Sequence, residues 1–105
     1  MAESTITGQE FTLTNGETVK LSLSFGRLNL LKKLNANLYE RFNRILYGKS
    51  DDILDLVTMV YVAYWCANYS ITDKLYTEED FYDLVDFDAG ELSRVFTALT
   101  QPKKK

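Results

Sequence analysis

The chain has 105 residues, 46% of them apolar and 26% charged, which fits one folded domain over residues 1–105 and excludes a wholly disordered chain. With no histidine and one cysteine, it can form no intrachain disulfide and lacks the commonest zinc ligand and general base. The net charge of −3 conceals a polarity, because residues 1–50 carry +3, residues 51–100 carry −9 and the closing lysines return +3; this suits pairing within the chain or head-to-tail attraction between copies.

Met1–Gly8 has neither a basic start nor an apolar run, so no secretory signal is expected there. Phe11 and Leu13, then Val19, Leu21, Leu23 and Phe25, alternate with polar neighbours around Asn15-Gly16, the pattern of a β-hairpin within about residues 5–25. A two-residue loop would throw the two apolar sets onto opposite faces. An odd loop, Thr14-Asn15-Gly16 with Gly16 left-handed, sets Leu13 opposite Glu17, Phe11 opposite Val19 and Gln9 opposite Leu21. Gly26 is expected to end the second strand. Leu28, Leu31 and Leu34, then Leu38, Phe42, Ile45 and Leu46, recur at helical spacing on either side of Asn35-Ala36-Asn37. They predict helices at about 27–35 and 37–47, or one bent helix, with Gly48 as C-cap.

The stretch around which the rest must pack is Ser50–Ser70, predicted as a helix over 51–68. Ser50, Asp51, Asp52 and Asp55 suit its start. From Leu56 to Ala67 only Thr58 is polar, and twelve helical residues rise about 18 Å, too little to cross a bilayer. Ile53, Leu56, Val57, Val60, Ala63, Tyr64 and Ala67 share one face, while Leu54, Met59, Val62, Trp65 and Cys66 make the other side apolar as well. A helix with no polar face is covered all round, either by this chain alone or partly by another. Beyond it, Thr77 followed by Glu78-Glu79-Asp80 caps a helix at 78–85 that buries Phe81, Leu84 and Val85. Asp86 or Asp88 caps the last helix, 89–100, where Leu92, Val95, Phe96 and Leu99 form one face before Pro102 and the tail 101–105. The expected fold is therefore mainly α with an N-terminal β-hairpin (α+β), about five helices packed around one central apolar helix.

Chemistry finds little foothold. The acids of 51–55 and 78–80 occupy helix first turns, where capping accounts for them, and Asp83–Glu91 fails calcium-loop spacing because core residues such as Phe87 interrupt it. There is no phosphate-binding glycine loop, nucleophile elbow or metal-ligand cluster, so neither catalysis nor a cofactor is expected. The basic segment 27–49, with Arg27, Lys32, Lys33, Arg41, Arg44 and Lys49, leaves a second reading open: a small phage or bacterial regulator that binds DNA or a host protein. Seven tyrosines serve either as core-edge packing or as contact anchors. The residues expected to meet a partner are Met59, Val62, Trp65, Tyr69, Tyr76 and Tyr82.

The order of a hairpin, ITGQEFTLTNGETVKLSLSF, a short helix, FGRLNLLKKLN, a long apolar helix, DILDLVTMVYVAYWCANYS, and the close LYTEEDFYDLVDFDAGELSRVFTAL resembles the tail assembly chaperones of long-tailed bacteriophages of Gram-positive hosts. The resemblance covers almost the whole chain. It implies a non-enzymatic protein of the host cytoplasm that coats the tape measure protein, assists tail tube polymerisation and is absent from the mature virion. Such proteins are commonly made in a short and a frameshifted longer form, which the terminal lysine run would suit. Tape measure protein, tail tube protein and further copies of the chain are the expected partners; a membrane is not expected, nor is nucleic acid on this reading.

Overall fold

A computed structural model describes residues 9–48, 52–71 and 74–100. Strands β1 (Gln9–Thr12) and β2 (Thr18–Leu21) pair antiparallel, with Gln9 opposite Leu21 and Phe11 opposite Val19. Between them the Leu13 N–H donates to the Glu17 carbonyl at 2.7 Å and the Gly16 N–H to the Leu13 carbonyl at 2.9 Å. Gly16 has φ +90, the left-handed geometry that the odd loop demands. The register and the three-residue loop are those read from the alternation. β2 nonetheless stops at Leu21 and does not run on to Phe25, because the Ser22 N–H turns away to the Ala63 carbonyl at 3.2 Å. Gly26 thus ends no strand and lies instead in the first turn of a helix. The expected strand residues 5–8 lie outside the described residues.

Helix α1 (Phe25–Leu34) starts where the Ser24 hydroxyl accepts the Arg27 N–H at 3.3 Å. Asn35 separates it from α2 (Ala36–Gly48): its backbone N–H closes α1 on the Leu31 carbonyl at 2.7 Å, and its side-chain oxygen accepts the Leu38 N–H at 3.2 Å. One residue caps both helices, so they are two and not one bent rod. Helix α3 (Ile53–Asn68) is capped by Asp52, whose carboxylate accepts the Leu54 N–H at 3.0 Å; Ser50 and Asp51 lie outside the described residues. Thr77 caps α4 (Glu78–Asp83) through the Asp80 N–H at 3.2 Å. Asp88, rather than Asp86, caps α5 (Ala89–Thr100) through the Glu91 N–H at 3.1 Å. α4 ends before Leu84 and Val85 because their N–H groups fold back onto the Phe81 and Tyr82 carbonyls, while the Leu84 carbonyl accepts the Thr14 N–H of the hairpin loop at 2.8 Å.

β2 and the other four helices pack on α3, while β1 packs on β2 and α5; residues Val57 to Cys66 of α3 are all buried. The hairpin contributes Phe11, Leu13, Val19 and Leu21, α1 Leu31, α2 Leu38 and Phe42, α4 Phe81, and α5 Leu92, Val95 and Leu99. Met59 is 1%, Val62 0% and Trp65 7% exposed, which corrects their expected place on a contact surface: they are interior residues of one subunit. The reason is additive. The hairpin and four helices each bring an apolar face, and together those faces enclose the ten residues Val57 to Cys66 of α3 without a second chain. No helix among the described residues is long and apolar enough to cross a membrane.

Candidate interaction surfaces

Of the tyrosines expected at an interface, all three are half-buried, and the hydroxyls of Tyr76 and Tyr82 are hydrogen-bonded within the subunit. The Tyr61 hydroxyl donates to the Tyr76 carbonyl at 2.9 Å, the Tyr76 N–H donates to the Tyr64 hydroxyl at 2.8 Å, and the Tyr76 hydroxyl donates to Glu17 Oε1 at 2.6 Å. Two phenols of α3 thereby hold the segment that leads into α4, and the Tyr64 ring stacks on Phe81 at 4.8 Å. Burial pushes the Tyr61 phenol up to about 12, so at neutral pH it is a donor and not a charge. Tyr69 stacks on Trp65 at 4.5 Å, an outer layer over the C-terminal end of α3.

Two arginines of the basic segment are engaged in the fold. Arg27 donates from Nε to the Cys66 carbonyl at 3.0 Å and from Nη2 to the Tyr69 carbonyl, which places a cation at the negative end of the α3 dipole. Arg41 forms a two-pronged pair with Glu78, both contacts at 2.8 Å. That guanidinium holds the Glu78 carboxyl below the ordinary carboxylate value, helped by the Tyr82 hydroxyl at 2.7 Å. The Tyr82 and Thr58 hydroxyls also meet at 2.6 Å, and Thr58 reaches the Leu54 carbonyl at 3.0 Å; two hydroxyl protons serve any two of these three contacts. Lys32 lies 5.6 Å over the Tyr39 ring, Lys33 and Arg44 are exposed, and Lys49 lies outside the described residues. Cys66 is buried, and burial raises its thiol to about 12, far from a reactive thiolate. Among the described residues no three acidic or sulfur side chains come together to hold a metal ion.

Surface apolar area is concentrated elsewhere. The α1–α2 hairpin leaves an open cleft of about 390 Å³ lined by Leu23, Leu28, Phe42 and Leu46, with Phe25 (91% exposed) and Tyr47 (78%) at its rim. A smaller cleft of about 140 Å³ lies at the start of α3, between Ile53, Val57, Val85 and Leu92, rimmed by Leu54 (59% exposed) and Phe87 (85%). Phe87 is thus no core residue, contrary to the expectation. It sits at the apex of a three-residue turn closed by the Asp88 N–H on the Asp86 carbonyl at 2.9 Å, which directs it outward. Sequence reasoning missed all four rim residues. The available signal was positional, since Phe25 and Phe87 stand one residue from a cap, where the chain enters a helix and its side chains point away from the helix packing face.

No protein-family model matches the chain, and no curated protein or solved structure is significantly similar to it.

Proposed function

We propose that this chain is a non-enzymatic tail assembly chaperone that receives a helical stretch of the phage tape measure protein and assists tail tube polymerisation in the host cytoplasm without entering the virion. The observation that carries the reading is the α1–α2 cleft, an open trough whose apolar floor is flanked by Asn29, Lys32 and Asn43, with two rim aromatics on a subunit whose core is otherwise sealed. A groove between two helices accepts the apolar face of a third, the usual way in which one protein holds an amphipathic helix. The order of elements, a hairpin followed by helices around one apolar helix, is the one expected from the resemblance drawn on the sequence. The regulator reading is less well supported, because Arg27 and Arg41 are engaged within the subunit and only part of the basic segment remains for phosphate.

Co-expression with a phage tape measure protein tests the proposal. The client is expected to stay soluble and to co-purify with the wild-type chain, and to pellet with the variant Phe25→Ser/Tyr47→Ser. A client that pellets equally with both would overturn it.

A further inference from the structure

The two apolar rims differ in charge as well as in shape. Among the described residues Lys32 is the one charged residue that lines the α1–α2 cleft, with Lys33 exposed beside it in α1. Among the described residues Asp86 is the one charged residue that lines the cleft beneath Phe87; Asp88 is exposed on the same turn and Asp83 is exposed at the end of α4. Phe87 is therefore an aromatic knob among aspartates, and the Phe25–Tyr47 cleft is an aromatic trough beside lysines. We propose that these two surfaces bind each other between copies, the Phe87–Leu54 knob of one molecule seated in the Phe25–Tyr47 trough of the next.

The placement of the surfaces decides the kind of assembly. Leu92, near the start of α5, lines the knob's cleft, and Thr100, at the end of α5, lines the trough. Eight residues of helix separate them by about 12 Å. The contact is between unlike surfaces, so each molecule that uses its knob still offers its trough. Such head-to-tail contacts grow into chains or close into rings, whereas a two-fold contact would stop at a dimer. Each large aromatic side chain buries about 150–250 Å² at most, so the contact falls short of the roughly 1,200 Å² at which stable complexes begin. It is weak and concentration-dependent. Exposed Lys32 and Asp86 steer the approach and are screened by salt, while the aromatic burial is not. None of this depends on the chaperone reading, since the purified chain alone is sufficient to show it.

Sedimentation equilibrium on the purified chain from about 10 μM to 1 mM tests it, the range in which so small a contact associates. The average mass is expected to rise past that of a dimer and to rise less at 0.5 M salt. Phe87→Ser, with no knob, and Phe25→Ser/Tyr47→Ser, with a weakened trough, are each expected to stay monomeric alone. Their equimolar mixture is expected to form dimers and stop there, because only one productive contact remains. Far-UV circular dichroism confirms that the variants fold; should the trough variant fail to, Lys32→Glu takes its place. A wild-type chain that is monomeric throughout, a single variant that associates as the wild type does, or a mixture that stays monomeric would each overturn the proposal.

Discussion

Glu78 shows how one side chain ties two helices of this molecule together. It lies in the first turn of α4, where a carboxylate already favours the helix dipole, and it receives Arg41 from α2 in two parallel hydrogen bonds and the hydroxyl of Tyr82. Both partners prefer the ionised carboxylate, so the pKa in the fold lies below its ordinary 4.5. A lowered folded pKa stabilises the protein above the unfolded value, and that contribution disappears as the pH falls through the folded one. The pair is about one-third exposed, so solvent screens part of its strength. Glu78→Gln is therefore expected to lower unfolding stability by about 1–2 kcal/mol at neutral pH. The gap from wild type should shrink once the pH drops below 4.5. Urea denaturation of both proteins from pH 3 to 7 measures the gap, and a difference that stays constant over that range would contradict the assignment.

Helices and strands here are set by a few positions, and two glycines separate the cases. Gly16 stands at φ +90 in the hairpin loop, where an L side chain is strained whatever space surrounds it. Gly26 sits in the first turn of α1 with ordinary φ and nothing within 4 Å of an added Cβ. Gly16→Ala is expected to cost about 1–2 kcal/mol, and Gly26→Ala to gain about 0.5–1 kcal/mol. Opposite shifts in melting temperature check both at once. The hairpin was legible in the sequence because side-chain parity is strict: Phe11 and Val19 share a face only across an odd loop. Caps were legible for a similar local reason at Asp52, Thr77 and Asp88, each of which reaches an N–H two or three residues on; Asn35 was legible only as a break between two helical patterns. The tyrosine bonds were not. Tyr61 meets a carbonyl fifteen residues away and Arg27 one thirty-nine away, distances that no periodicity encodes. The exposure of Phe25 and Phe87 is likewise a tertiary outcome, fixed by which faces α1 and the α4–α5 turn present once packed.

At the scale of the whole molecule the governing fact is that a hairpin and four helices enclose the middle of one helix, so apolar residues divide into two populations that composition alone merges. Met59, Val62 and Trp65 belong to the enclosed set; the outer set comprises Phe25, Tyr47, Leu54 and Phe87, grouped at two clefts, and Leu34 and Ile71, which line neither. The sequence argument, that so apolar a helix calls for a partner, weighed the helix by itself. Enclosure depends on how much apolar face the rest of the chain supplies, and here that supply suffices. The two sets have opposite mutational consequences. Met59→Ala leaves a cavity that close-packed neighbours only partly fill and is expected to cost about 2–5 kcal/mol. For a domain of this size that is a large share of a total near 5–15 kcal/mol. Phe87→Ser uncovers little and is expected to change stability by no more than about 0.5 kcal/mol. Chemical denaturation separates the two, and equal losses at Met59 and Phe87 would mean that the turn holding Phe87 outward packs inward in solution. If stability and contact do divide in this way, the patches are free to change partners without disturbing the fold, because no core residue contributes to them beyond the lining of each cleft.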